Sequence, residues 1–224
     1  MGSGISTTLQ GCTIEKTEHR GITIPQLRQV MQVITERCEK EKWRRISVDG
    51  RMEIELTPEI VNLYDINDRI IKAYTLEKKC SLVELLASEP QPPMWFVSHW
   101  WGNPVQNMIR CLEQHVKDRG LDLETTAYWV CAYANNQHSL GGEISTDPAD
   151  SSFRKAMNIS KGTISIVDSH CVVYSRIWCN YEAYIAIDNA AHNKDYLVDI
   201  YTCKEEIAGL CKMLTSFIIS LFLS

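Results

Sequence analysis

The chain has 224 residues, of which 45% are hydrophobic and 23% are charged, and its formal net charge is −5 at pH 7. This composition suffices for one good-sized core with a small accessory lobe. The acidic balance argues against a surface built to bind nucleic acid. The nine cysteines include no CxxC pair, so they indicate free thiols in a reducing, cytoplasmic compartment rather than a disulfide framework or a structural metal site.

The N-terminal residues are polar and rich in Gly and Thr, which predicts a flexible arm over residues 1–20. They contain no apolar stretch like that of a secretory signal peptide. Gly2 with Ser6 fits the N-myristoylation pattern, and Cys12 offers a position for a second acyl chain. Two alternatives stay open here: a chance match to a short pattern, or a lipid anchor that would hold the protein peripherally at a membrane.

Residues 21–90 predict an accessory α+β lobe. Apolar residues at helical spacing follow Thr23, which suits a helix cap. Asp49-Gly50 lies between alternating apolar residues and predicts a β-hairpin, and Thr57-Pro58 predicts the start of another helix. The proline-rich stretch 89–93 breaks regular structure, so we expect the boundary of the main domain there.

Residues 91–224 alternate between strand and helix patterns. We expect strands at 94–99, 127–134, 162–167 and 196–201, interleaved with helices that begin near Asn103, Ser151 and Ser175. Near-continuous apolar strands predict an α/β fold with a parallel sheet covered by helices on both faces. The apolar terminal segment 210–224 is shorter than the roughly 20 residues of a membrane span. It predicts a docked helix, with a surface anchor or part of a longer apolar segment as the alternatives.

Polar and aromatic side chains follow the first three predicted strands, where open parallel sheets bind ligands. They are His99, Trp100, Trp101, Asn135, Asn136, His138 and Asp168. Rings that stack and amides that bond suit a flat, polar, nucleotide-like ligand. Each has a structural alternative, because indoles cap cores, Asn and Asp form turns and caps, and His99 can be a structural hydrogen-bonding residue. His99 and His138 have no assured third ligand for a metal.

The sequence SRIWCNYEAYIAI places Trp178, Glu182 and Ile185 on one face of a helix that Ser175 can cap. A carboxylate between an indole and an aliphatic side chain has little access to water, so its pKa shifts and it becomes a candidate for chemistry. The alternative is a glutamate that favours the helix dipole and points to solvent.

These residues together resemble a TIR domain (Toll/interleukin-1 receptor type) over roughly Trp95 to Tyr201. The run WFVSH with Gly102 is similar to the opening strand and loop of that family. Residues 175–182 are similar to its S-x-W-C-x-x-E box, with one extra residue between Ser and Trp. The motifs FVSHWWG, YANNQH and RIWCNYE also resemble a group of proteins from algae and other protists, and that likeness implies no activity.

The resemblance implies a flavodoxin-like sheet of about five strands and an intracellular protein that either cleaves NAD+ between ribose and nicotinamide or self-associates as an adaptor. The essential carboxylate of the catalytic members matches Glu182, with Trp178 and Cys179 beside it. NAD+ would be the substrate, no separate cofactor is implied, and a homo-oligomer is expected. The HWW sequence, the long loop 137–150 and the N-terminal lobe depart from the family pattern. A nucleotide-binding hydrolase that uses His99 and His138 is a third hypothesis.

Overall fold

A computed structural model of the protein describes residues 11–47, 49–140, 147–204 and 207–210, with residues 204 and 207–210 described by their backbone. Within these ranges the strands are β1 (Ile22–Thr23), β2 (Arg44–Ile46), β3 (Glu53–Glu55), β4 (Trp95–His99), β5 (Ala127–Trp129), β6 (Gly162–Val167), β7 (Leu197–Lys204) and β8 (Ile207–Leu210). The α-helices are α1 (Ile24–Glu41), α2 (Leu63–Ile66), α3 (Ala73–Thr75), α4 (Leu82–Leu86), α5 (Val105–Arg119), α6 (Cys131–Ala134), α7 (Ser152–Ile159) and α8 (Ile177–His192). A π-helical segment, Asn67–Lys72, joins α2 to α3.

The main sheet has six strands in the order β1-β5-β4-β6-β7-β8. The four inner strands, β5, β4, β6 and β7, are parallel, whereas β1 and β8 pair antiparallel at the two edges. Counted along the chain, the parallel strands lie in the order 2-1-3-4, which is the order found in flavodoxin-like sheets. The predicted α/β class with a mostly parallel sheet and flanking helices is therefore confirmed.

Helices cover both faces of this sheet, as the apolar strands predicted. Helices α1 and α5 lie on one face, and α7 and α8 lie on the other. Successive side chains of a strand point to opposite faces, and in β4 this alternation sends Trp95 and Val97 to the α5 side and Phe96 to the α7 side. Ser98, two residues after Phe96, therefore points toward the face that carries α8.

The N-terminal segment shares its core with the main domain. Strand β1, at the start of the predicted lobe 21–90, forms an edge of the main sheet with Ile22 opposite Tyr128. Leu27 of α1 belongs to the same hydrophobic cluster as Leu112 of α5. Residues 11–20 were expected to belong to a flexible arm, but Ile14 is 1% exposed because it packs into this cluster.

Several predicted element boundaries are wrong. The helix expected at Thr57 begins at Leu63, because the side chain of Asn62 accepts a bond from the Asp65 N–H and caps that turn. The second predicted strand ends at Trp129, since residues 131–134 form α6. The hairpin predicted at Asp49-Gly50 is confirmed as β2–β3, with Gly50 at φ 73° in the connecting turn.

Two predictions concern segments at the chain ends. Gly2 and the predicted terminal helix, apart from Leu210 in β8, lie outside the described residues. Cys12 is half-buried and its backbone N–H donates to the Glu84 carbonyl. In the part of the chain that the structure describes, no helix has the length and apolar character required to cross a membrane.

Candidate functional site

A cavity of about 550 Å³ opens beyond the carboxyl ends of β4 and β5, beside the first turn of α8. Small-molecule sites in proteins have volumes of roughly 300–1,000 Å³, so this cavity is large enough for a ligand. Six side chains predicted from the sequence to bind or act line it, namely His99, Trp100, Trp101, Asn135, Trp178 and Glu182. The strand-end position of the cavity follows from the parallel pairing of β5, β4 and β6.

Glu182 lies at the cavity with only 4% of its surface exposed. Its Oε2 accepts a hydrogen bond of 2.5 Å from the Ser98 hydroxyl, which the alternation along β4 directs toward α8. Burial raises the pKa of Glu182 to about 8, although the Ser98 bond acts in the opposite direction. The glutamate therefore points inward rather than to solvent, and burial favours its protonated form at neutral pH.

His99 ends β4 and presents a buried imidazole to the same cavity. The residue is 6% exposed, and neither ring nitrogen has a hydrogen-bond partner among the described residues. Burial lowers its pKa to about 4, although the nearby Val97 backbone, which does not meet hydrogen-bond geometry, acts in the opposite direction. The ring is therefore neutral at physiological pH. Gln137 is a second buried polar residue at the cavity. It is 6% exposed, and its Oε1 has no hydrogen-bond partner among the described residues.

Aromatic rings form two walls of the cavity. On one side Trp101 lies against Tyr64 with a centroid distance of 5.6 Å, and its Nε1–H points to the Cys131 sulfur at 3.2 Å. On the other side Trp178 stacks on Phe153 at 5.7 Å and 13° between planes. Trp178 is 41% exposed, so an apolar face at the cavity entrance stays available to a planar ligand.

Trp100 is held by its neighbours. Its indole packs against the cluster of Val173 and Cys179, and Gly102 lies so close that a Cβ at that position would overlap the ring. The sequence left open that at least one of the two indoles covers the core. Part of the Trp100 ring does so. The remainder faces the cavity.

Two thiols at the cavity are poor nucleophiles. Burial, followed by the nearby Glu182, raises the pKa of Cys131 and that of Cys179 to about 12. The Cys179 thiol points toward the His99 carbonyl with an Sγ to O distance of 3.7 Å. Because the thiolate is the reactive form of cysteine, these groups serve packing and weak hydrogen bonding.

Residues Ser175 to Cys179, which lead into α8 and form its first turn, line the cavity. Arg176 is the N-cap residue, and no side chain caps the helix. The predicted cap by Ser175 is wrong, because the Ser175 hydroxyl donates to the Val172 carbonyl within the preceding 3-10 turn. The N–H groups of this turn are therefore not occupied by a capping side chain, and such groups favour a negative charge.

The remaining predicted side chains have structural roles. Asn136 closes a turn in which its Oδ1 accepts from the His138 N–H and its Nδ2 donates to the Lys79 carbonyl. The His138 ring bonds to Thr75 at 2.8 Å, and Asp168 accepts from the N–H groups of His170 and Val173. None of these three side chains lines the cavity. Within the described residues, no three His, Cys, Asp or Glu side chains converge as metal ligands.

Asn135 lines the cavity, but its Oδ1 is already occupied by the hydroxyl of Ser152 on α7. This bond holds the loop after α6 against α7. The neighbouring Gln137 donates its Nε2–H to the Ala132 carbonyl. The sequence did not single out Tyr64, Phe153 or Arg176 as site residues. Tyr64 lies in the short helix α2 and Phe153 in α7, and Arg176 lies in the box that carried the prediction for Glu182.

Comparisons with protein-family models, curated proteins and solved structures found no match to this chain.

Proposed function

We propose that this cavity binds NAD+ and that the protein cleaves the bond between its ribose and nicotinamide, with Glu182 as the carboxylate at the reacting carbon. The position of Glu182 supports this proposal: a buried carboxyl group with a raised pKa lies in an aromatic-walled cavity beyond the ends of parallel strands. Perturbed carboxyl groups in clefts are characteristic of active sites.

The chemistry fits a site with one suitable carboxyl group. Cleavage breaks the C1′–N bond and leaves positive charge on the ribose, as in other glycoside cleavages. The ionised Glu182 stabilises that charge. Water then forms the new bond to C1′ and releases a proton, which gives ADP-ribose. Nicotinamide departs as a neutral molecule, so its departure needs no strong general acid.

The raised pKa of Glu182 is compatible with this role. The nicotinamide ring of NAD+ carries a positive charge, and a positive charge close to a carboxyl group favours its ionised form. Substrate binding therefore lowers the pKa of Glu182 from about 8. The neutral His99 adds no opposing charge to that part of the cavity.

We also infer a TIR-like fold and an assembly of several copies, in line with the motifs around Ser98 and Trp178. The order of the parallel strands and the position of Glu182 on α8, beside β4, support the fold inference. Trp101 and Trp178 supply the surfaces for nicotinamide and adenine. We further propose that the protein is cytoplasmic and contacts membranes only peripherally.

A non-catalytic interaction module is the second candidate. Ile177 is 80% exposed and Tyr184 is 57% exposed, and both lie on α8 seven residues apart. Apolar side chains at this helical spacing favour burial against a second copy. Self-association through them needs no ligand in the cavity.

Release of nicotinamide from NAD+ by the purified full chain tests the first candidate. We expect release from the wild type at high protein concentration and a loss of about 100-fold or more in Glu182→Gln. Glu53→Gln, a change at a half-exposed hairpin position outside the cavity, is the matched control and should retain full activity. No release from the wild type, or equal release from Glu182→Gln, would leave the interaction module as the better reading.

A further inference from the structure

Buried polar atoms without partners lie along one part of the cavity. Both ring nitrogens of His99 and the Oε1 atom of Gln137 have no hydrogen-bond partner among the described residues. Both side chains line the cavity, and both residues are more than nine-tenths buried. Because buried polar groups are nearly always hydrogen-bonded, these atoms indicate a ligand that supplies the missing partners.

The charge state of these groups restricts that ligand. His99 is neutral at physiological pH because burial holds its pKa near 4, and the Gln137 amide carries no charge. A neutral imidazole offers one donor and one acceptor, and Oε1 accepts. The ligand groups that meet them are therefore uncharged hydroxyl or amide groups, such as those of a ribose or a base.

A second set of groups favours an anion. The first turn of α8 lines the cavity, the helix has 16 residues, and no side chain caps it. Arg176 also lines the cavity and makes no ion pair among the described residues. Backbone N–H groups at a helix N-terminus, together with a guanidinium group, are a recurrent binding arrangement for phosphate.

These two sets are adjacent. The thiol of Cys179 in the first turn of α8 approaches the His99 carbonyl at 3.7 Å, so the helix N-terminus and the end of β4 border the same space. One ligand can therefore contact both sets when it joins a phosphate to a group that carries uncharged hydroxyls or amides. A nucleotide has this composition, and a nucleoside lacks the phosphate.

We propose that the cavity selects nucleotides over nucleosides: a phosphate binds the first-turn N–H groups of α8 beside Arg176, while His99 and Gln137 bond uncharged groups of the same ligand. This inference deepens the proposed function and rests on the same cavity. It assigns Arg176 to the recognition of phosphate and His99 to the recognition of uncharged groups, and it gives neither residue a role in bond cleavage.

Two ligands that differ only by one phosphate provide the test: nicotinamide mononucleotide and nicotinamide riboside. Their affinities are measured by calorimetry with the full-length Glu182→Gln chain, in which cleavage does not consume them. We expect the mononucleotide to bind about tenfold or more tightly than the riboside, because the charged phosphate contacts are made only by the former. Adding Arg176→Ala should reduce this ratio to about threefold or less, with the riboside affinity unchanged.

The ratio of the two affinities is measured within one protein. A variant that is partly unfolded loses both affinities alike, so its ratio does not change. Arg51→Ala is the matched control, because the Arg51 side chain is 84% exposed and lies outside the cavity. His99→Leu should weaken both ligands by the same factor. Equal affinity for the two ligands, equal losses for both in Arg176→Ala, or binding of neither ligand would overturn the proposal. Nicotinamide release by the wild type is scored separately, so a failed cleavage assay does not decide the phosphate preference.

Discussion

The hydroxyl group of Ser98, near the end of β4, donates a hydrogen bond to the buried carboxyl group of Glu182 on α8. The two residues are 84 positions apart in the chain, and their contact joins the central strand of the sheet to the helix that borders the cavity. A hydroxyl that donates to a carboxyl oxygen stabilises its ionised form. Ser98 therefore opposes the effect of burial on Glu182.

The activity of the protein should rise with pH. The proposed reaction needs the ionised form of Glu182, whose pKa is raised to about 8 by burial. The value of kcat/KM reports the free protein, so it should increase through about pH 8. The increase in kcat with pH should have its midpoint at a lower pH than that of kcat/KM, because bound NAD+ favours the ionised form of Glu182. A kcat/KM that is constant from pH 6 to pH 9 would contradict the ionised role of Glu182.

Glu182→Gln should stabilise the folded protein in alkaline solution. The folded chain retains the Glu182 proton up to about pH 8, whereas the unfolded chain loses it near pH 4.5. Since the folded state binds more protons in this interval, stability falls as pH rises from about 4.5 to 8. The variant does not lose stability in this way. Above pH 8 its free energy of unfolding should exceed that of the wild type by a few kcal/mol, because one pKa unit corresponds to about 1.4 kcal/mol.

Urea unfolding of both proteins at pH 5, 7 and 9 measures this difference. The free energy of unfolding of Glu182→Gln should approach that of the wild type at pH 5 and exceed it at pH 9. A difference between the two proteins that is the same at all three pH values would show that Glu182 ionises normally in the fold.

Trp101→Phe should weaken ligand binding. Trp101 forms one wall of the cavity with Tyr64, and its Nε1–H points to Cys131. A phenyl ring offers less stacking surface and no N–H group, so we expect a loss of about 1 kcal/mol in the binding of ADP-ribose. Calorimetry measures it. Trp43→Phe is the control, because Trp43 is buried in the core outside the cavity. Unchanged affinity in Trp101→Phe and in Trp100→Phe would assign both indoles to the core.

Asp199→Asn should destabilise the fold without a direct effect on the cavity. Asp199 is 3% exposed and accepts hydrogen bonds from His115 and Arg119. Burial acts to raise its pKa, but the bonds from His115 and Arg119 outweigh burial and lower it. Asp199 is buried, whereas the Arg119 side chain is 35% exposed. Water therefore compensates Arg119 in part, and we expect a loss of about 2 kcal/mol at pH 7.

The sign of the pH dependence follows from the lowered pKa of Asp199. Its contribution is present above about pH 4, where the unfolded carboxyl group ionises, and is lost as pH falls through the lower folded pKa. Unfolding of Asp199→Asn and wild type should therefore converge at low pH. Asp195→Asn, a change at an exposed position before β7, should match the wild type throughout. An undiminished difference between Asp199→Asn and the wild type below pH 3 would contradict a role for the charge.

Strand-level patterns predicted much of this molecule. The apolar runs ending at His99 and Val167 are parallel strands, and the strand-end rule placed His99, Trp101 and Asn135 at one edge with Glu182. That rule succeeds because parallel strands direct their carboxyl ends to one side of the sheet. It depends on the order of elements and not on side-chain rotamers.

Local hydrogen bonding was harder to predict. Asn136, His138 and Asp168 follow the same strands, yet each is committed to a turn or to a neighbouring hydroxyl and lies outside the cavity. Asn and Asp compete for nearby backbone groups, and the sequence does not show whether such a bond forms. Ser98 and Arg176 were not predicted as site residues for a related reason. Ser98 matters because it contacts Glu182 on α8, and Arg176 because it lines the cavity.

The antiparallel edge formed by Ile22 opposite Tyr128 has a consequence for how this protein is made. Its two strands are separated by a long stretch of chain, and contacts between distant residues slow folding because a large loop must close first. During synthesis the N-terminal segment emerges well before its partner strand. The sheet edge therefore forms only after Tyr128 has been synthesised, and Ile22, fully buried in the native state, cannot take its place in the edge before then.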